Sequence, residues 1–187
     1  MLFYPASEDT YLMEDAIRAR PERNVQFIVE VGCGSGYISK VLAEVYPSSQ
    51  IISTDINPHA IEETSRVCKG LNVTVVQTSI IDGIKESIDM AVFNPPYLPS
   101  EKEYLTGEWM DRAWAGGEKG MEITNKFLDE TAHIRIRYVL LCQYNNPADV
   151  IEKLVSKGYC VEVIKQQKIL NENLQIVRIE RNEASTE

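Results

Sequence analysis

The feature that most limits what this chain can become is an alternation. Short runs rich in β-branched residues take turns with longer stretches of helical period. "VQFIVEV" (Val25 to Val31) reads as a strand, and "GYISKVLAEVY" as a helix with Ile38, Val41, Leu42 and Val45 on one face. "QIISTD" is a second strand. "PHAIEETSRVCKG" is a helix with Asn57 as its cap, Pro58 at its first position and Gly70 just past its end. "NVTVVQT" and "SIDMAVFN" are the third and fourth strands. After a long loop, "GMEITNKFLDETAHI" reads as helix, "RYVLLCQ" as strand, and "PADVIEKLVSKG" as a helix capped by Asn146 and stopped by Gly158. "YCVEVIKQ" and "LQIVRIER" follow with no helix between them, so they are expected to pair antiparallel. The pattern predicts an α/β fold: a seven-stranded, mainly parallel Rossmann-like sheet with its last strand antiparallel and helices on both faces. A single domain over 1–187 is the simplest organisation. Residues 1–21 form a leading segment whose helix is capped near Ser7 and ended by Pro21, and the tail 182–187 is expected to fray.

Composition narrows the class. At 187 residues with 44% apolar and 25% charged residues, the chain suits one soluble domain with a full core. No apolar run approaches a membrane span, and "MLFYPASEDT" lacks the regions of a signal peptide, so the cytoplasm is the expected location. The formal net charge of -9 counts against a surface that grips a phosphate backbone. Cys33, Cys68, Cys142 and Cys160 are far apart, and His59 and His133 have no cysteine neighbours, so no metal site is expected within the chain.

Two motifs carry chemistry. In "VEVGCGSGYIS", Gly32, Gly34 and Gly36 lie between the first strand and first helix, where the backbone can turn sharply and approach a ligand. Their G-x-G-x-G spacing puts Tyr37 where a dinucleotide fingerprint has its last glycine, which favours a nucleoside without phosphate. Asp55 ends the second strand about 20 residues on, the place of an acid that binds a ribose diol. Glu30 sits inside the first strand, where a carboxylate is costly unless paired. S-adenosylmethionine, with a sulfonium, an ammonium and a ribose, suits two such acids. A tight turn flanked by two surface acids is the simpler alternative.

"FNPPYLP" (Phe93 to Pro99) ends the fourth strand, facing the glycine loop if strand order reverses between the first and fourth. Two prolines hold Asn94 and Pro95 extended and remove two N–H groups. The Asn94 side-chain oxygen and the Pro95 carbonyl can then accept both hydrogens of a planar NH2, with Tyr97 stacked behind it. Such a nitrogen is a poor nucleophile, and two fixed acceptors favour the state in which it attacks and turns positive. A proline-rich strand exit with Tyr97 as packing is the alternative.

With both motifs in view, the chain resembles the class I S-adenosylmethionine-dependent methyltransferases, and within them the HemK-like protein-glutamine N5-methyltransferases of the short archaeal and eukaryotic form. "SEDTYLMEDAI", "VEVGCGSGYIS" with "TDINPHAIEET", "VFNPPYLP" and "WAGGEKGMEITNKFLDE" carry the likeness. The resemblance implies as substrate the glutamine of the Gly-Gly-Gln loop of a class-1 translation release factor. By motif it places Thr10, Glu30, Gly32, Gly34, Gly36, Asp55, Ile56, Ser79, Ile80 and Asn94 around the cofactor. It gives Asn94, Pro95 and Tyr97 the catalytic role, and puts Pro96, Trp114, Gly116 and Gly117 with them on the substrate side. The family often has an acid where this chain has Ser79; Ser79 and Asp82 are the candidates to replace it near the adenine. The front loop "YPASEDT" carries its proline one place off the usual pattern, and the N-terminal helical domain of bacterial relatives has no counterpart. Relatives pair with a small zinc-binding activator, and "NVTVVQT" (72–78), an edge strand without charge or proline, is where such a partner is expected here. An edge covered by a loop is the alternative.

"NPPY" is shared with enzymes that methylate adenine N6 or other exocyclic amines of DNA or RNA, and that reading stays open, with the acidic balance against it. Lysine and small-molecule methylation stay open too. A methyltransferase fold kept as a non-catalytic partner has no need of Glu30, Asp55 and "NPPY" together.

Overall fold

Why the sheet lies where it does follows from two apolar faces on each central strand. In the computed structural model, which describes residues 2–169 and 171–181, β1 (Phe27–Val31), β4 (Met90–Phe93) and β5 (Ile136–Cys142) are buried almost throughout. Their alternate side chains feed two cores. One, with Ile28, Met90, Tyr138 and Leu140, packs under α1 (Glu8–Ala19) and α2 (Tyr37–Val45). The other, with Val29, Phe93, Val139 and Leu141, packs against α6 (Glu122–Glu130) and α7 (Pro147–Ser156). Strands buried on both faces read as continuous apolar runs, as these do.

The sheet has seven strands in the order β3-β2-β1-β4-β5-β7-β6, with β2 at Gln50–Asp55, β3 at Val73–Gln77, β6 at Tyr159–Ile169 and β7 at Glu172–Arg181. β1 to β5 pair parallel, while β7 runs antiparallel to both β5 and β6. The expected architecture and the edge position of β3 are both present. The order reverses between β1 and β4, which opens a crevice at their carboxyl ends. The glycine turn and the Asn-Pro-Pro-Tyr corner leave the sheet there.

Helix α3 (Pro58–Val67) starts as expected, with the Asn57 side chain accepting from the His59 N–H at 3.0 Å. The Asn146 cap does not form. Asn146 adopts a left-handed conformation, φ 49°, without a side-chain cap hydrogen bond, because its neighbour Asn145 is the residue turned inward. The long loop 98–118 contains two short helices, α4 (Lys102–Leu105) and α5 (Trp109–Trp114), too short to leave a period in the sequence. Residues 182–187, expected to fray, lie outside the described residues. No helix of the described residues is long and apolar enough to cross a membrane.

Candidate active site

A single cavity of about 700 Å³ joins the glycine turn to the proline corner, a size suited to a nucleoside ligand with part of a substrate. Its floor is built from strand ends. Gly32 is solvent-exposed and left-handed, φ 68°, and a side chain there would start 3.2 Å from the Phe93 ring. Backbone and ligand space meet at that point. Gly36 is used differently: a Cβ would stand 3.0 Å from the Thr64 Cα, so its role is to let α2 approach α3. It is not part of the cavity wall, whereas Gly32 and Gly34 are.

Both expected acids line the cavity. Glu30 is buried and accepts from the Ser39 and Ser53 hydroxyls, both on Oε2. Burial pushes its carboxyl up to about 8, so a proton resides there at neutral pH until a cation arrives. Asp55 accepts from the backbone N–H of Gly34 at 3.0 Å and of Asn57 at 2.9 Å, which locks its carboxylate against the glycine turn. Burial raises its pKa, and those N–H bonds and the Arg112 guanidinium work against the rise.

Asn94 and Pro95 stand on the opposite wall. The Asn94 NH2 donates to Asp9 Oδ2 at 3.0 Å, and its Oδ1 is buried without a partner among the described residues. Leaving an amide oxygen so costs about 1–3 kcal/mol, an observation that asks for a donor from a ligand. The Pro95 carbonyl also takes no hydrogen bond from the described residues. Tyr97 donates its hydroxyl to Glu172 Oε2 at 3.2 Å, which holds the ring at the cavity's substrate end.

The corner is held from behind. The Leu98 N–H donates to Trp114 O at 3.1 Å, and the Gly116 N–H returns to Leu98 O at 2.8 Å. Asn145 donates to the carbonyls of Tyr97, Lys119 and Gly120 at 2.9, 2.9 and 3.2 Å, and accepts from the Cys142 N–H at 2.7 Å. Gly116 and Gly117, expected on the substrate side, are buried behind the corner and are not in the cavity wall. A Cβ on Gly116 would meet Pro96 O at 2.4 Å. At Gly116 the missing side chain lets two backbone segments pack closely; at Gly117 it admits the Glu122 side chain and a φ of 71°.

Helices α4 and α5 roof the cavity with Leu105, Trp109, Arg112, Ala113 and Trp114. Tyr104 packs on Trp114, with ring centroids 5.2 Å apart, and the Arg112 guanidinium lies 4.5 Å over the Trp109 ring. On the far wall, Ser79 accepts from the Lys126 ammonium at 2.7 Å. Ile56 and Ile80 complete that wall, Ile80 with φ 53°, a strained value for a β-branched residue. Thr10 lines the cavity too, but its hydroxyl is engaged by the Ser7 N–H at 3.2 Å and by Asp9. Asp82 is not in the wall, while Ser79 is. Sequence reasoning missed Asp9, Arg112, Lys126 and Asn145. Only Asp9 left a signal, as a charge next to Thr10 in "EDTYL".

Comparison with known proteins agrees in kind. The methyltransferase small domain family matches residues 10–112. The human protein named methyltransferase HEMK2 is 32% identical over 169 residues, covering 83% of this chain and 78% of its own. The eRF1 methyltransferase catalytic subunit mtq2 of Schizosaccharomyces pombe is 31% identical, covering 95% and 89%. Among solved structures, the E. cuniculi Mtq2–Trm112 complex, described as responsible for methylation of the translation termination factor eRF1, superposes with a TM-score of 0.80 at 28% identity. That match covers 97% of this chain and all of the other.

Proposed function

Given that the chain belongs to the methyltransferase small domain family, we propose that it transfers a methyl group to the side-chain nitrogen of the Gly-Gly-Gln glutamine of a class-1 translation release factor. The enzyme is an S-adenosylmethionine-dependent methyltransferase with a Rossmann-like fold. The observation that carries the finer reading is the unpartnered Asn94 Oδ1 beside a free Pro95 carbonyl. Two bare acceptors at one corner match the two hydrogens of a carboxamide NH2.

The residues fit the methyl donor: Gly32 opens its backbone to the cavity, Asp55 stands fixed where a ribose diol would lie, and Glu30 awaits a cation. Bound S-adenosylmethionine supplies a methyl group on an electrophilic sulfonium. The chain's own part is to hold the amide. Asn94 Oδ1 and the Pro95 carbonyl take its two hydrogens, and Tyr97 lies behind its plane. As the nitrogen gives up its conjugation and gains charge, the same two oxygens strengthen their hold. Fixing the nitrogen in line contributes up to about 7–11 kcal/mol in favourable cases. Trp109, Arg112 and Trp114 roof the cavity, and the methylated nitrogen, now strongly acidic, releases its extra proton to solvent and regains its conjugation. Ser79 with Lys126 takes the adenine end in place of the usual acid.

The charge balance disfavours a nucleic acid as substrate. Asp9, Asp55 and Glu172 line the cavity against Arg112 and Lys126, in a chain of net charge -9, which offers a phosphate backbone little to hold. The test is transfer from labelled S-adenosylmethionine to the release factor, read by mass spectrometry of the Gly-Gly-Gln peptide. One methyl on the glutamine, absent when that glutamine is alanine, is the expected result. Transfer to naked DNA or RNA at comparable rate would overturn it.

A small zinc-binding partner along β3 belongs to the same reading. β3 ends the sheet with Thr74 and Gln77 exposed, and a hollow that mixes Phe27, Ile52, Val76 and Ile84 with polar residues such as Gln50 and Glu86 lies beside it. A chain that is monodisperse and fully active alone would remove this part.

Glu30 makes cofactor binding depend on pH. Its folded pKa of about 8 lies above the unfolded value of 4.5, so the stability it contributes is whole below pH 4.5 and lost as pH rises through 8. An ammonium group prefers the ionised form. The affinity for S-adenosylhomocysteine should therefore rise with pH, by up to about tenfold per unit, and level off near pH 8. Calorimetry across pH 6–9 checks this, and Glu30→Gln should bind weakly with a flat profile.

A further inference from the structure

Asp9 is a buried carboxylate at the cavity to which the reading above gives no task. It is 4% exposed. Its Oδ1 accepts from the Thr10 N–H at 2.8 Å and from the Thr10 and Tyr4 hydroxyls, each at 3.4 Å. Its Oδ2 accepts from Asn94 Nδ2 at 3.0 Å. Among the described residues it makes no ion pair. A buried carboxylate held by neutral donors alone is expensive, and a helix start does not require one, since Ser7 already occupies the cap position.

What the carboxylate does locally is decide an orientation. An asparagine amide can turn by half a circle and exchange its NH2 for its oxygen at little cost in shape. An ionised carboxylate only accepts. Opposite Asp9, the Asn94 amide can therefore face one way only, NH2 toward Asp9 and oxygen toward the cavity. The observed half of this arrangement is the NH2 on Asp9, with Oδ1 buried and unpartnered in a residue that lines the cavity. We propose that Asp9 is a positioning residue that holds the Asn94 amide with its oxygen toward the substrate nitrogen. Its charge, passed through the polarised Asn94 amide, makes that oxygen a stronger acceptor as the substrate nitrogen turns positive. The inference rests on the transfer reaction proposed above and adds a part that the motif "NPPY" does not contain.

The test is an exchange of groups. In Asp9→Asn the oxygen at position 9 must stay with the Thr10 N–H, so the new NH2 faces Asn94. The Asn94 amide then turns its own oxygen to that donor and shows NH2 to the substrate, donor against donor. In Asn94→Asp two carboxylates face each other. In the double variant Asp9→Asn/Asn94→Asp, position 9 donates, position 94 accepts, and an oxygen again faces the cavity. Asp9→Asn should lower kcat by about 10²–10³-fold and raise KM by a smaller factor, with the affinity for S-adenosylhomocysteine changed by no more than about threefold. The double variant should be at least about tenfold more active than Asp9→Asn, a coupling that a merely structural role for Asp9 would not produce. Should Asp9→Asn fail to fold, the same tenfold gain is read against Asn94→Asp. A kcat for Asp9→Asn within about threefold of the parent, or a double variant short of that gain, overturns the inference. The parent enzyme is assayed beside them on release-factor glutamine. If it transfers a methyl and the series is flat, only this inference falls; if it transfers none, the proposed reaction falls first.

Discussion

Replacing Asn94 by alanine is expected to lower kcat about 10³-fold while leaving the fold and the affinity for S-adenosylhomocysteine nearly unchanged. A preorganised polar group aimed at developing charge is worth about 2.7–4 kcal/mol in comparable sites, and here it is one of the two acceptors assigned to the amide. The protein should stay folded, with a loss of about 1–3 kcal/mol because Asp9 Oδ2 loses its donor. Asn94 Oδ1 has no partner to lose, and a buried acceptor without a bond is already a cost to the folded state. The bond that does disappear, from Nδ2 to Asp9, leaves that carboxylate with the Thr10 N–H and two hydroxyls. KM should change by less than kcat, because the oxygen's grip tightens only as charge develops on the substrate nitrogen. Steady-state rates and a thermal melt on the same preparation check this. An alanine variant within about tenfold of the parent kcat would mean that the corner is structural.

Gly120→Ala is expected to have the largest effect on stability. A Cβ there would lie 1.9 Å from the Tyr97 carbonyl oxygen and 2.7 Å from Asn145 Nδ2, both parts of the scaffold behind the corner. Neither is the free end of a flexible chain. The residue also has φ 69°, which adds about 1 kcal/mol for any side chain. Overpacking against fixed backbone costs a further 1–3 kcal/mol or so, and the total corresponds to a fall in Tm of roughly 4–16 °C for a chain of this size. Gly70→Ala is the matched comparison. It shares the conformation, φ 85°, but nothing lies within 4 Å of its Cβ, so about 1 kcal/mol is all it should lose. Activity should fall with Gly120→Ala even in the folded fraction, since the shift needed to admit the methyl moves Tyr97.

The contrast between those two glycines shows what could be read ahead of the structure. Alternating strands and helices, the Asn57–Pro58 helix start and the order of the motifs are local patterns, so the sheet and the facing positions of Gly32 and Asn94 were legible. Gly120 was visible only as the last glycine of "WAGGEKG"; that it faces Tyr97 depends on two segments meeting through Asn145. The one-residue slip at Asn145 and Asn146 has the same origin. Asparagine before proline looks like a cap, while the buried staple one place earlier has partners 25 to 48 residues away. Asp9, 85 residues from Asn94, is a further case. Arg112 and Lys126 are reached from a roof and a helix whose placement no spacing announces. Gly36 by its turn, and Gly116 and Gly117 by the family resemblance, were expected to face ligands, yet Gly36 and Gly116 serve the close approach of other segments and Gly117 admits the Glu122 side chain.

Everything in the mechanism comes down to which atoms face the nucleophile. The most direct measurement is a crystal structure of the enzyme with S-adenosylhomocysteine and a Gly-Gly-Gln peptide. The glutamine nitrogen should lie about 2.7–3.2 Å from both Asn94 Oδ1 and the Pro95 carbonyl oxygen, on the side open to the glycine turn. A glutamine amide bound away from that corner, or an Asn94 that turns its NH2 to the ligand, would contradict the account.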